Sequence, residues 1–143
     1  MCSLWACDAK VVFEENKEIP EATWTWDHPV QFNFDVADTV TRHNFYVNLR
    51  NGNGYEYSNI FLFVTLHFPN GKQSIDTVEC FLADPTGQWY GTGIGNMHDH
   101  RFLFKQNKQF PLAGQYKVEI NQAMRQEELV DIHDVGFRLA RTR

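Results

Sequence analysis

The chain has 143 residues, one domain's worth, with 43% apolar and 22% charged residues, which excludes a mainly disordered polypeptide. Its 13 Lys and Arg against 18 Asp and Glu give a net charge of −5. No long basic run is present to neutralise a phosphate backbone, so nucleic acid is not an expected partner. No apolar run reaches the roughly 18–20 residues of a membrane span.

Aromatic residues make up 15%, including 12 Phe, and flat side chains suit half-buried sheets. Val11-Val12-Phe13 opens the first strand. Val30–Val36 and then Phe45-Tyr46-Val47-Asn48-Leu49 alternate apolar and polar residues, the mark of strands with one face in a core. Asn51-Gly52-Asn53-Gly54 supplies a loop. Segment 60–68 is apolar at most positions on both faces, which predicts a central strand covered on both sides. A Pro69-Asn70-Gly71-Lys72 turn leads to a strand over 74–82, stopped by Ala83-Asp84-Pro85-Thr86-Gly87. Strands around Phe102-Leu103-Phe104, Tyr116-Lys117-Val118-Glu119-Ile120 and Val135-Gly136-Phe137-Arg138-Leu139 complete a set of about eight. Segment 121–130 is rich in helix formers and predicts a short helical crossover near the C-terminus. The reading is all-β: a two-sheet antiparallel sandwich of jelly-roll type. Residues 11–143 form the single sandwich domain, and residues 1–10 stand apart as anchor or tether.

Candidate sites are few. Met97-His98-Asp99-His100 puts two imidazoles on one strand face, but a metal needs further ligands, and a polar turn is the expected reading. No metal site and no cofactor are expected. There is no G-x-S-x-G elbow and no Cys/His signature, so no catalytic residues and no small-molecule substrate are expected. Gly91-Thr92-Gly93-Ile94-Gly95 opens no helix and reads as a bent or bulged edge strand. Arg50 and Arg125 each suit a fork to a nearby carboxylate that fixes a loop, or an acidic partner. Arg138, between Phe137 and Leu139, is expected to face outward. Trp24, Trp26, Trp89 and Tyr90 are the candidate glycan or partner surface. Trp24 and Trp26, two residues apart, are expected to share one strand face, with a core position favoured over an exposed platform. Cys80 reads as a small buried hydrophobe.

The N-terminus carries the sharpest chemical signal. Leu4-Trp5-Ala6-Cys7 has the form of a bacterial lipobox: an aliphatic residue, a variable one, a small one, then the cysteine that takes the lipid. Only six residues precede Cys7, without a basic or apolar segment, so residues 1–10 are expected to be the remnant of a signal and its tether.

Cys7-Asp8, Val12-Phe13-Glu14-Glu15, Ile19-Pro20 and Trp24 resemble the start of the gliding motility lipoprotein GldH family. Asn48-Leu49-Arg50-Asn51, Tyr57-Ser58-Asn59, Leu62-Phe63-Val64-Thr65 and Phe68-Pro69-Asn70-Gly71-Lys72 continue the pattern. So do Asp76-Thr77, Leu82-Ala83-Asp84, Gln122-Ala123-Met124-Arg125 and Asp134-Val135-Gly136. The resemblance implies a lipoprotein of Bacteroidota tied to surface motility, with Cys7 as the lipid attachment site. It further implies a non-catalytic envelope accessory or scaffold protein, membrane-anchored by lipid and periplasm-facing. Its partners would be envelope proteins of the gliding and secretion machinery. A carbohydrate-binding module for surface or cell-wall glycans is the alternative.

Overall fold

The computed structural model describes residues 10–93 and 95–142. Ten strands follow in chain order: β1 (Val11–Glu18), β2 (Thr23–Thr25), β3 (Val30–Val36), β4 (His43–Gly52), β5 (Asn59–His67), β6 (Gln73–Phe81), β7 (Met97–Lys108), β8 (Gly114–Gln122), β9 (Glu128–Val130) and β10 (Ile132–Arg141). A single 3-10 turn, Pro20–Ala22, separates β1 from β2.

The pairing has a simple rule. β1 pairs with β10, β2 with β9, β3 with β8, β4 with β7 and β5 with β6, all antiparallel. Two lateral pairings, β10 with β4 and β8 with β5, fold this long hairpin over on itself. The result is two four-stranded sheets, β1-β10-β4-β7 and β3-β8-β5-β6, with β2-β9 as a short ribbon between them. That is jelly-roll connectivity, as the sequence predicts. The eight predicted strands are the eight strands of the two sheets, and only the three-residue β2 and β9 are additional.

The core lies between the sheets. β3 alternates without fault: Val30, Phe32, Phe34 and Val36 are buried, and Gln31, Asn33 and Asp35 are exposed. Phe34 meets Phe137 of the opposite sheet with ring centroids 5.6 Å apart and stacks on Tyr116 at 5.8 Å. Each such buried side chain contributes roughly 1.5–3 kcal/mol relative to an exposed one. At the open side of the sandwich, Lys105 of β7 reaches Asp76 of β6 at 2.8 Å and ties the two edge strands together. A charge pointing inward on an edge strand also discourages pairing with another chain.

Three expectations need correction. β5 is central, flanked by β6 and β8, but it is covered on one face only. Ile60, Leu62, Val64 and Leu66 point into the core, while Phe61 and Phe63 lie on the solvent face. The outer face happens to be apolar too, so the pattern mimicked two-sided burial. Segment 121–130 contains no helix. It ends β8, bends, and forms β9. The Gln122 amide donates to the Gln126 carbonyl at 3.0 Å, and its oxygen accepts from the Met124 amide at 2.9 Å. These bonds satisfy the bend, and pairing of Leu129 with Trp24 holds β9 in place of a helical turn. Third, Trp24 and Trp26 do not share a face. β2 ends at Thr25, so Trp24 is fully buried and its indole N–H donates to the His28 carbonyl at 3.0 Å, while Trp26 is turned out in the following turn.

Candidate functional site

The outer face of β1-β10-β4-β7 is a polar trough of about 760 Å³. The strand register builds it in rows. Asp134, Arg50 and Asp99 stand side by side across β10, β4 and β7. The next row is Asn16, Gly136, Asn48 and Arg101, and the third begins with Glu14 and Arg138.

Each charge in these rows is answered by a neighbour. Arg50 forks onto Asp99, with Nε 2.7 Å from Oδ1 and Nη2 3.4 Å from Oδ2, and its Nη1 lies 3.6 Å from Asp134. The fork raises the Arg50 pKa, chiefly through the hydrogen bond to Asp99. The Glu14 carboxylate is a hub. It accepts from Asn48 at 2.7 Å, from Arg101 at 3.3 Å and from Arg138 at 3.0 Å. Arg101 Nε donates to the Asn48 oxygen at 3.2 Å, and the Arg138 guanidinium lies 5.7 Å from the centre of the Tyr46 ring. Gly136 leaves the floor open, because a Cβ there would collide with the Asn16 amide.

One wall comes from the segment before β7. The Asp84 carboxylate accepts from the Thr86 and Gln88 amides, both at 2.9 Å, and the hydroxyl of Thr86 holds its pKa below the ordinary carboxylate value. This turn returns the chain so that Ala83 bridges Trp89 and Thr92 bridges Asp99. Gly91 permits the approach: a Cβ would stand 2.6 Å from the Asp99 carbonyl oxygen and 2.7 Å from the His100 ring. Among the described residues of 91–95 there is no edge strand of the expected kind but a bend carrying one bridge at Thr92, and Tyr90 lines the trough with Phe81.

The remaining candidates disperse. Trp24 is in the core. Trp26 borders a shallow hollow with Phe63 and Met124 on the outside of the other sheet. Trp89 is half-buried, stacked on the His98 ring at 5.2 Å. Only Tyr90 reaches the trough, so the four aromatics form no single platform. His98 and His100 share a face of β7 and bond to the Asn53 and Asn51 side-chain oxygens at 2.6 and 2.8 Å. They belong to a strand, not to a turn. Among the described residues no three His, Cys, Asp or Glu side chains gather as a metal site. Asn51 Nδ2 donates to Gly52, so its oxygen faces His100, and His100 Nε2 carries the proton. Arg125 lies exposed, and Cys80 is buried and free. Cys7 lies outside the described residues.

Fold and trough together define a jelly-roll domain with a self-paired polar face. The sequence pattern of the GldH lipoprotein family matches residues 11–139, and the chain belongs to that family. The gliding motility lipoprotein GldH homolog of Christiangramia forsetii is 39% identical over 96% of this chain and 88% of its own. The gliding motility lipoprotein GldH of Flavobacterium johnsoniae is 38% identical over 95% and 88%. Among solved structures, the family GH115 4-O-methyl-α-glucuronidase BtGH115A matches with a TM-score of 0.43 at 10% identity, covering 94% of this chain and 18% of that one.

Proposed function

We propose that the protein is a lipid-anchored accessory protein of the cell envelope, attached through Cys7 and associated with gliding motility. It would act by contacts with envelope proteins rather than by catalysis and face the periplasm. The observation that carries this reading is the 38% identity to the Flavobacterium johnsoniae gliding motility lipoprotein across nearly the whole chain. Two features add support. Leu4-Trp5-Ala6-Cys7 offers a thiol in lipobox context, and residues 8–10 would be a short tether to β1. The outer side of the second sheet exposes Trp26, Phe63 and Ile75, a surface of the apolar kind that protein contacts use. Deleting the gene in its host and scoring spreading over agar tests the association: loss of spreading, restored by the gene supplied in trans, is expected. Unchanged spreading would contradict it.

A further inference from the structure

We infer that the trough on β1-β10-β4-β7 is a binding site for a neutral oligosaccharide. This goes beyond the anchoring role and does not depend on it. Four observations point the same way.

The first is charge. Glu14, Asp99 and Asp134 are each already paired with Arg50, Arg101 or Arg138, so none of these charges waits for a partner. A charged peptide or headgroup would have to break these pairs to form its own. A polyol need not, because it hydrogen-bonds to groups that stay paired. The second is the type of group. Carboxylate, guanidinium and amide present flat pairs of acceptors and donors, which match two adjacent hydroxyls of a sugar ring, one donating and one accepting. Arg101 Nη1 and one Asp134 oxygen have no partner among the described residues and remain for such bonds.

The third is rigidity. Arg50, Asp99 and Arg101 are each about half exposed, yet their hydrogen bonds hold them across the sheet. Side chains fixed before binding lose little freedom when the ligand arrives. The fourth is the rim. Tyr90, 59% exposed, and Phe81, 57% exposed, offer apolar faces beside polar ones, the combination that the C–H and O–H surfaces of a pyranose require. The volume of about 760 Å³ spans all four strands and admits a short oligosaccharide.

The glycan could come from the cell wall or from an extracellular polysaccharide. Isothermal titration of the full chain should therefore use two uncharged probes: N-acetylglucosamine oligomers, the neutral half of the cell-wall repeat, and neutral hexose oligomers. Saturable binding to either set is expected, with the responsive set naming the source. The affinity should change less than twofold between 50 and 500 mM salt, since no net charge is neutralised. Tyr90→Ala should weaken it at least tenfold with an unchanged melting temperature, and Asn48→Ala, which also removes bonds to Glu14 and Arg101, should weaken it at least tenfold while the variant stays folded by circular dichroism. Trp26→Ala, on the other sheet, should leave it unchanged. Absence of binding to both sets would overturn the inference, as would binding that survives Tyr90→Ala and Asn48→Ala but is lost in Trp26→Ala. Strongly salt-dependent capture of a protein by the trough would overturn it in favour of a peptide site. Each of these results leaves the anchoring at Cys7 untouched.

Discussion

His100 shows how much a single buried group can shape behaviour. It sits beneath the wall segment, 8% exposed, donating to Asn51. Burial, and then the repulsion of His98, lower its pKa to about 4, against the attraction of Asp99. The unfolded imidazole titrates near 6.5, so between those values the unfolded chain binds the extra proton. Stability therefore rises with pH across that window and is lost as pH falls from about 6.5 towards 4, by up to about 3 kcal/mol. His43 is shifted downward as well, by burial, and adds to the slope. Melting temperatures measured from pH 7 to 4 should fall, and His100→Gln, which keeps a donor to Asn51, should flatten the curve. A slope unchanged by that substitution would contradict the assignment. Cys80 offers a second check. Burial pushes its thiol up to about 12, so almost no thiolate exists at neutral pH. A maleimide should label it only in denaturant, and reducing agent should not shift the melting temperature. Rapid native labelling at Cys80 would contradict its burial.

At the scale of the element, β5 separates what sequence reveals from what it hides. Val64 is 3% exposed and Phe63 is its outward neighbour. Val64→Asp should cost about 4 kcal/mol, because a carboxylate would be buried without a partner. Phe63→Asp should cost less than about 1 kcal/mol. Chemical denaturation of both variants decides it, and equal losses would restore two-sided coverage of the strand. Alternation was legible wherever one face meets core and the other water, as in β3. It misled where the solvent face is itself apolar, as at Phe61 and Phe63. β1 was visible only at Val11-Val12-Phe13, since the polar run that follows is held in the sheet by its pairing with β10. Helix formers in 121–130 were overridden by tertiary pairing of β9 with β2. The trough could not be read at all. Its residues run from Glu14 to Arg138 along the chain, and only the register between four strands sets them in rows. Arg50 was singled out as a fork to a carboxylate, and Arg138 as facing outward, which is where they stand. Nothing in the sequence marked Asp99 as the carboxylate that Arg50 grips.

The whole molecule is one hairpin wound into a jelly roll, with different chemistry on its two outer faces: a paired polar trough on one, an apolar patch on the other. The domain itself is acidic, and among its described residues no helix is long and apolar enough to cross a membrane. Anionic headgroups would repel a domain of this charge, and acyl chains on Cys7 would supply the bilayer affinity that the proposed function requires. Each buried CH₂ contributes about 0.8 kcal/mol, and two or three chains hold where one is marginal. The central claim is thus decided by membrane fractionation of the host carrying either the native gene or its Cys7→Ala variant. The account predicts native protein in the membrane fraction with lipid on Cys7, and a folded Cys7→Ala protein that carries no lipid and is no longer stably membrane-bound. A Cys7→Ala protein that remained integral to the membrane would contradict it.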